Sequence, residues 1–282
     1  MVQGNKRCGI LSFEQFHGRK NIGSSRIRGK WLAKYWEEAE LFKMGQKYDA
    51  VIYQKAYFVD HAKAFKGVKI LDLCDPDWLH WAYRTKEMIE EVDAITTSTE
   101  ALAESVRQFT KKPVLCIPDR IDLSEHTARK FHENDAKTVV WYGYSSNFDL
   151  LKPVVHFLKK LKLNLIVISD GGFHLPATAA GDIELRNLSW SADTVNRDIL
   201  EGDIVVNPFS VKGKFKYKSP NKTITAWALG MPVATSVEDL KKFISADERK
   251  KESKLRLQEV KDSWDINISV KEFQDLIKSI KK

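Results

Sequence analysis

Short apolar runs alternate with amphipathic stretches along the whole chain. In the first part, residues 8–13, 49–53, 68–73, 94–97 and 114–117 read as strands, several of them rich in β-branched residues. Between them, 29–39 and 77–91 carry apolar positions at helical spacing, and Ser98 or Thr99 stands where an N-cap would precede a helix over 100–109. Strands alternating with helices predict right-handed βαβ units in a parallel sheet. The polar stretch 124–137 breaks this rhythm and reads as a linker. A second series follows, with strands predicted at 139–142, 163–169, 183–188, 204–207 and 233–235 and helices at 148–161, 193–201 and 222–229. From Glu238 onward the pattern is helical and charged, and the stripe Val270, Phe273, Leu276, Ile277 and Ile280 predicts that the last helix packs on a domain surface.

The expected organisation is α/β throughout: one doubly wound domain over 1–123, a linker over 124–137, a second domain over 138–237, and helices over 238–282 that pack back on the domains. Two such halves predict a cleft faced by the carboxyl ends of the strands.

Composition narrows the class. A chain of 282 residues with 43% hydrophobic and 11% aromatic content can bury a large core and is not of the disordered type. Its net charge of +8 points to an anionic partner: a nucleotide, a nucleic acid or an acidic membrane surface. The apolar run ending at Phe13 is too short for a signal-peptide core or a membrane span, so a cytoplasmic chain, possibly peripheral to a membrane, is expected. Cys8, Cys74 and Cys116 are odd in number and lie in strand-like runs, which predicts buried reduced thiols. The histidines show no metal-ligand spacing.

The segment with the most chemical content runs from Asp203 to Val233. It reads as a strand, a basic loop and a helix that begins near Ser219 with Pro220 in its first turn and stops at Gly230. Unpaired amides and the macrodipole at such a start favour a diphosphate, and Lys212, Lys214, Lys216, Lys218 and Lys222 supply cationic charge around it. After the first strand, Gly18 and Gly23 permit close backbone approach, and Arg26 or Arg28 could clamp a phosphate. Asp75-Pro76-Asp77 could be read as a metal pair, but a strand-end turn and an N-cap account for both aspartates. Asp75, at a strand's carboxyl end, is the candidate proton acceptor, with His17 and His61 as alternatives. Trp78, Trp81 and Tyr83 fit either a core or a stacking surface.

The run from Lys218-Ser219-Pro220-Asn221-Lys222 through Ala226-Trp227-Ala228-Leu229-Gly230-Met231-Pro232-Val233 resembles the donor loop, short helix and Gly-x-Pro-Val exit of the retaining glycosyltransferases of the glycosyltransferase-B fold. Weaker echoes occur at Ser24–Arg28, at 93–122 and at Val139-Val140-Trp141-Tyr142-Gly143-Tyr144-Ser145. The resemblance implies two Rossmann-like domains facing a cleft, acceptor side first. It implies a nucleoside diphosphate sugar as donor substrate, no tightly bound cofactor and no required metal.

It also assigns the donor diphosphate to Lys218, Ser219, Asn221, Lys222, Arg26 and Arg28, and the nucleotide and ribose to Gly143, Asn207 and Thr225. The acceptor expected is a hydroxyl of a surface glycan or glycolipid intermediate. Alternatives are a base in DNA, as for phage-type enzymes, and a non-catalytic module that binds a nucleotide or glycan. The family's pair of glutamates eight residues apart is missing here, with Thr225 where the second would stand, and this motivates the non-catalytic alternative.

Overall fold

The computed structural model describes residues 7–179, 181–207 and 216–281. They form two compact units, each built on one parallel sheet. Unit 1 comprises Met1–Asp122, Lys212–Pro220 and Trp264–Lys282; unit 2 comprises Leu123–Val211 and Asn221–Ser263.

Unit 1 contains β1 (Cys8–Leu11), β2 (Ala39–Leu41), β3 (Ala50–Gln54), β4 (Val68–Leu73), β5 (Ala94–Thr97) and β6 (Val114–Cys116), ordered β2-β1-β3-β4-β5-β6. The register pairs Cys8 with Ala50 and Leu11 with Tyr53, then Ile70 with Ala94 and Leu73 with Thr97. Helices cover both faces of a parallel sheet, so β3 and β5 are buried at every residue, including the polar Gln54 at the end of β3.

The helix expected over 29–39 is shorter. A π-helical turn, Arg26–Lys30, leads into the helix Trp31–Tyr35; the backbone turns extended at Trp36, and β2 follows as an edge strand. The helix expected over 77–91 is likewise split into a 3₁₀ turn, Asp77–Leu79, and the helix Ala82–Glu91.

The last helix, Ile266–Ile280, belongs to unit 1. It starts on an Asp265 cap and buries Val270, Phe273, Leu276 and Ile277, as the apolar stripe predicts. Arg120 anchors it, with Nη1 and Nη2 at 2.6 and 2.9 Å from the two oxygens of Glu272.

Unit 2 contains β7 (Thr138–Tyr142), β8 (Asn164–Ser169), β9 (Leu185–Ser189), β10 (Ile204–Val206) and β11 (Val233–Ala234), ordered β11-β10-β7-β8-β9. Alternation along β7 sends Val139 and Trp141 into one apolar layer with Leu165 and Val167. Val140 and Tyr142 go to the other, with Ile166, Ile168 and Val205.

The stretch 124–137 runs with unit 2, where Lys130 N donates to Leu229 O at 2.9 Å and His132 Nε2 lies 2.9 Å from Gly230 O. Arg249, from the helix Ala246–Ser263, is buried beneath it and donates to Phe243 O at 2.7 Å and to the carbonyl of Asn134. Cys8 and Cys74 are buried and Cys116 half-buried, and all are free thiols. Among the described residues no helix is long and apolar enough to cross a membrane.

Candidate functional site

In a doubly wound sheet, ligands bind outside the carboxyl ends of the strands where the strand order reverses. In unit 2 that point lies between β7 and β10, so Tyr142-Gly143 and Val206-Asn207 flank it. The helix Asn221–Ala228 is the next described helix after β10 and brings Lys222 to the same place.

The buried Tyr142 phenol donates to the Lys222 carbonyl and also pairs with the Thr225 hydroxyl; burial pushes its ionisation far above the ordinary phenol range. The Lys222 ammonium sits 5.3 Å from the centre of the Trp141 ring. A Cβ added at Gly143 would fall 2.4 Å from Lys222 Nζ and 3.1 Å from the Trp141 ring, so a side chain here would displace the ammonium. Asn207 Nδ2 donates to Thr223 Oγ1 at 3.0 Å, which ties the end of β10 to the helix. Asn221 Nδ2 is buried and has no hydrogen-bond partner among the described residues. These groups collect a cation, a helix start and an amide donor at one strand end, an arrangement suited to an anionic ligand.

In unit 1 the strand order reverses between β1 and β3. Arg28 does not face solvent there. Its guanidinium reaches Asp72 Oδ2 and Oδ1 at 2.7 and 2.6 Å, Asp119 Oδ1 at 2.8 Å and Ile117 O at 2.8 Å. Asp72 also accepts from Thr96 Oγ1 at 2.6 Å, and Asp119 Oδ2 accepts from Ser219 Oγ at 2.6 Å. Two of the expected phosphate ligands, Arg28 and Ser219, are thus joined through one aspartate in a buried network.

Lys218, the third, pairs with Asp75 Oδ1 at 2.7 Å, while Lys55 Nζ holds Asp75 Oδ2 at 2.6 Å and lies 3.5 Å from Asp77 Oδ1. Tyr217 anchors this stretch: it is buried, packs edge-on against Trp78 at 5.8 Å, and its carbonyl accepts from Thr99 Oγ1 at 3.3 Å.

The electrostatics follow from this packing. Burial opposes the charge of Asp75, but the ammoniums of Lys55 and Lys218 outweigh it and hold the carboxyl below the ordinary aspartate value. Asp77 moves the other way, raised chiefly by burial. An aspartate gripped by two ammoniums is a weak proton acceptor.

His17 is exposed, tilted against Phe13 at 4.3 Å and stacked on Trp81 at 5.7 Å. Burial together with the charges of Arg19, Lys55 and Arg84 holds its ring below the ordinary imidazole value. A neutral imidazole that donates from one nitrogen keeps the other as an acceptor. His61 differs: Nδ1 is 2.8 Å from Tyr53 Oη and the ring is stacked by Phe58 and Phe65.

The structure therefore brings Lys222, Asn221, Gly143, Asn207 and Thr225 together in unit 2, and Lys218, Ser219, Arg28 and Asp75 together in unit 1. Arg26 lies against the Trp31 ring, 5.5 Å from its centre, and Lys212 and Lys214 fall outside the described residues. Sequence reasoning missed Lys55, Asp72 and Asp119. A lysine directly after the buried run Ala50–Gln54 was the available signal for the first. Among the described residues no group of three or more His, Cys, Asp or Glu is placed to hold a metal ion.

No protein-family model matches the chain, and no curated protein matches it in sequence. Solved structures do. Anabaena HepE in complex with UDP aligns over 97% of this chain and 100% of its own, with a TM-score of 0.65 at 12% identity. HepE with UDP and glucose gives 0.67 at 10% identity over 97% and 99% of the two chains. T4 phage BGT with its UDP-glucose substrate gives 0.56 at 10% identity, again over 97% and 99%. The fold expected from the resemblance, glycosyltransferase-B with two parallel-sheet α/β units, is the fold of this chain.

Proposed function

We propose that the chain is a glycosyltransferase that moves a sugar from a nucleoside diphosphate donor to a hydroxyl acceptor. The observation that carries this reading is the unit 2 strand end, where the Lys222 ammonium, the start of the helix Asn221–Ala228 and the glycine turn at Gly143 meet at the switch point. HepE and BGT, which share the fold, are solved with UDP and UDP-glucose, and a uridine nucleotide is the donor we assign first.

In this reading Lys222 and the helix amides neutralise the diphosphate as negative charge grows on it, which is the electrostatic kind of catalysis. Asn221 Nδ2 gives one further donor, and Asn207 and Thr225 stand on the nucleotide side. Lys218 and Ser219 are held by Asp75 and Asp119 within unit 1. Arg28, spent on two buried carboxylates, is a scaffold residue and not a phosphate ligand. The proton of the acceptor hydroxyl goes to His17, which presents a neutral acceptor, in preference to Asp75. Retention at the anomeric carbon is our expectation from the resemblance, and proton NMR of the product glycoside decides it.

A glycan or glycolipid hydroxyl is the acceptor class we favour. A second reading, a hydroxyl on a DNA base, draws on the net charge of +8 and on the likeness to a DNA-modifying β-glucosyltransferase. Salt-dependent binding of duplex DNA supports it, and no binding at low salt removes it.

The test of the main reading is release of nucleoside diphosphate from a panel of nucleotide sugars, with and without glycan acceptors. Turnover that Lys222→Ala abolishes supports a transferase. Tight nucleotide binding with no turnover on any donor would make the chain a binding module instead.

A further inference from the structure

In unit 2 the stretch 124–137 and the helix Ala246–Ser263 meet at two buried residues that the nucleotide reading does not use: His132, 5% exposed, and Arg249, 1% exposed. His132 Nε2 lies 2.9 Å from Gly230 O, and its Nδ1 lies 3.2 Å from Arg249 Nε. A carbonyl only accepts and a guanidinium only donates. The ring therefore carries its proton on Nε2 and presents a bare Nδ1, so both partners demand the neutral imidazole. Arg249 gives its other described hydrogen bonds to carbonyls, that of Phe243 at 2.7 Å and those of Ile244 and Asn134.

Charge around the pair is unbalanced. His132 is faced by the cations of Arg249 and Lys130, with Asp203 opposing them; burial and the two cations hold the imidazole below its ordinary value. Asp203 and Asp135 act on Arg249 through space. Asp203 itself is occupied, since Oδ2 accepts from Lys137 N and Thr138 N at 2.9 and 3.1 Å and Oδ1 lies 3.4 Å from Lys130 Nζ. Arg129 turns to the carbonyls of His126 and Ala128. Around the pair, Lys130 N donates to Leu229 O at 2.9 Å, Lys130 Nζ to Leu200 O at 3.1 Å and Ala136 N to Ile244 O at 2.8 Å. Leu229 and Gly230 directly follow the helix Asn221–Ala228, so this stretch satisfies carbonyls at the helix's carboxyl end.

We propose that His132 is an acid-sensitive latch: its neutral ring clips the stretch 124–137 and Arg249 to the carboxyl end of the helix Asn221–Ala228, and uptake of one proton from water releases them. The proton lands on Nδ1. That removes the acceptor of Arg249 Nε and sets two cations 3.2 Å apart in a buried place, where their repulsion is little screened. The Gly230 bond survives, because Nε2 still donates. The latch does not depend on the transferase reading, although it acts on the helix whose other end carries Asn221 and Lys222. A proton binds the open form, where the ring titrates near its ordinary value of about 6.5, more readily than the latched form, where the value is lower. The latch therefore holds in full above about pH 6.5. As pH falls from there toward the latched value, the opening constant rises by up to about tenfold per pH unit.

The experiment follows the full chain from about pH 8 to about pH 5, across the range where imidazoles titrate, by histidine NMR and by amide hydrogen exchange corrected for intrinsic rates. The proteins are the parent, His132→Gln and Arg249→Met. Glutamine offers a donor and an acceptor at its tip but does not titrate. In the parent, ring nitrogen shifts should show the Nε2-protonated tautomer at neutral pH and a midpoint below the ordinary value. Protection over 130–136 should drop by up to about tenfold per pH unit as the medium is acidified. His132→Gln should lose that dependence on pH, and Arg249→Met, which takes away the adjoining cation, should raise the His132 midpoint. A parent ring protonated on Nδ1 at neutral pH, protection over 130–136 that does not change with pH, or the same drop in His132→Gln would overturn the proposal. If His132→Gln does not fold, the tautomer, midpoint and exchange of the parent decide the matter.

Discussion

Replacing Arg28 with methionine separates two roles for a cation that sequence reasoning assigned to phosphate. In the structure the guanidinium makes four hydrogen bonds, two to Asp72, one to Asp119 and one to the Ile117 carbonyl. The Asp72 side chain is 0% exposed and that of Asp119 9%. Removing one partner of a buried ion pair leaves the other charge uncompensated, at a cost of about 3–5 kcal/mol.

Two carboxylates are orphaned here, which argues for the upper half of that range. Thr96 and Ser219 still donate to them, which argues against exceeding it. For a urea m-value of about 1–3 kcal/mol per molar, the unfolding midpoint of Arg28→Met should fall by at least about 1 M. Adding Asp72→Asn should recover part of the loss, because it removes one of the stranded charges. Calorimetric titration with UDP on the folded variant completes the assay. A variant that unfolds at the parent midpoint yet no longer binds UDP would refute the buried-network assignment and return Arg28 to the donor site.

Three further outcomes are expected. Lys222→Ala should weaken UDP binding about 10–100-fold, the worth of one charge-assisted hydrogen bond, with little change in melting temperature; unchanged affinity by calorimetry would remove Lys222 from the site. Gly143→Ala places a Cβ 2.4 Å from the Lys222 ammonium, forcing it to shift, and should reproduce part of that loss in an otherwise intact fold, which circular dichroism and the same titration check. Asp75 is held below its ordinary value by Lys55 and Lys218, so its contribution to stability is present above the unfolded value of about 3.9 and is lost as pH falls through the lower folded value. Asp75→Asn should therefore flatten the acid end of the stability profile measured by urea melts, and an unchanged slope would show that the pair contributes nothing.

Parallel strands buried on both faces were the most legible part of the chain. The runs at 68–73 and 94–97 are observed with the same bounds, because their apolar and β-branched residues are clustered locally. β2 was not foreseen: Ala-Glu-Leu is three residues long with a charge in the middle, and only its pairing with β1 makes it a strand. The turn from a π-helical start to an extended Trp36 likewise leaves no clear trace in apolar spacing.

Near the unit 2 strand end, the glycine turn after β7 and a helix carrying Lys222 were legible from local pattern, although the helix begins at Asn221, two residues after the expected start at Ser219, and the approach of Lys222 to Gly143 spans 79 residues of sequence. Arg28 reads locally as a phosphate clamp, since the partners that bury it, Asp72 and Asp119, lie 44 and 91 residues away. The partner of Ser219 is 100 residues away and that of Lys218 is 143, so nothing local reveals that both are tied to aspartates. Lys55 was overlooked because a positive φ on a lysine has no compositional signal.

The central claim is that unit 2 binds a nucleoside diphosphate at the end of β7 and the start of the helix Asn221–Ala228. Titration of the isotope-labelled chain with UDP, followed by backbone amide shifts, tests it most directly. The account predicts saturable changes centred on Gly143, Asn207, Asn221 and Lys222 that vanish in Lys222→Ala. Binding of UDP with no perturbation at those four residues would contradict it.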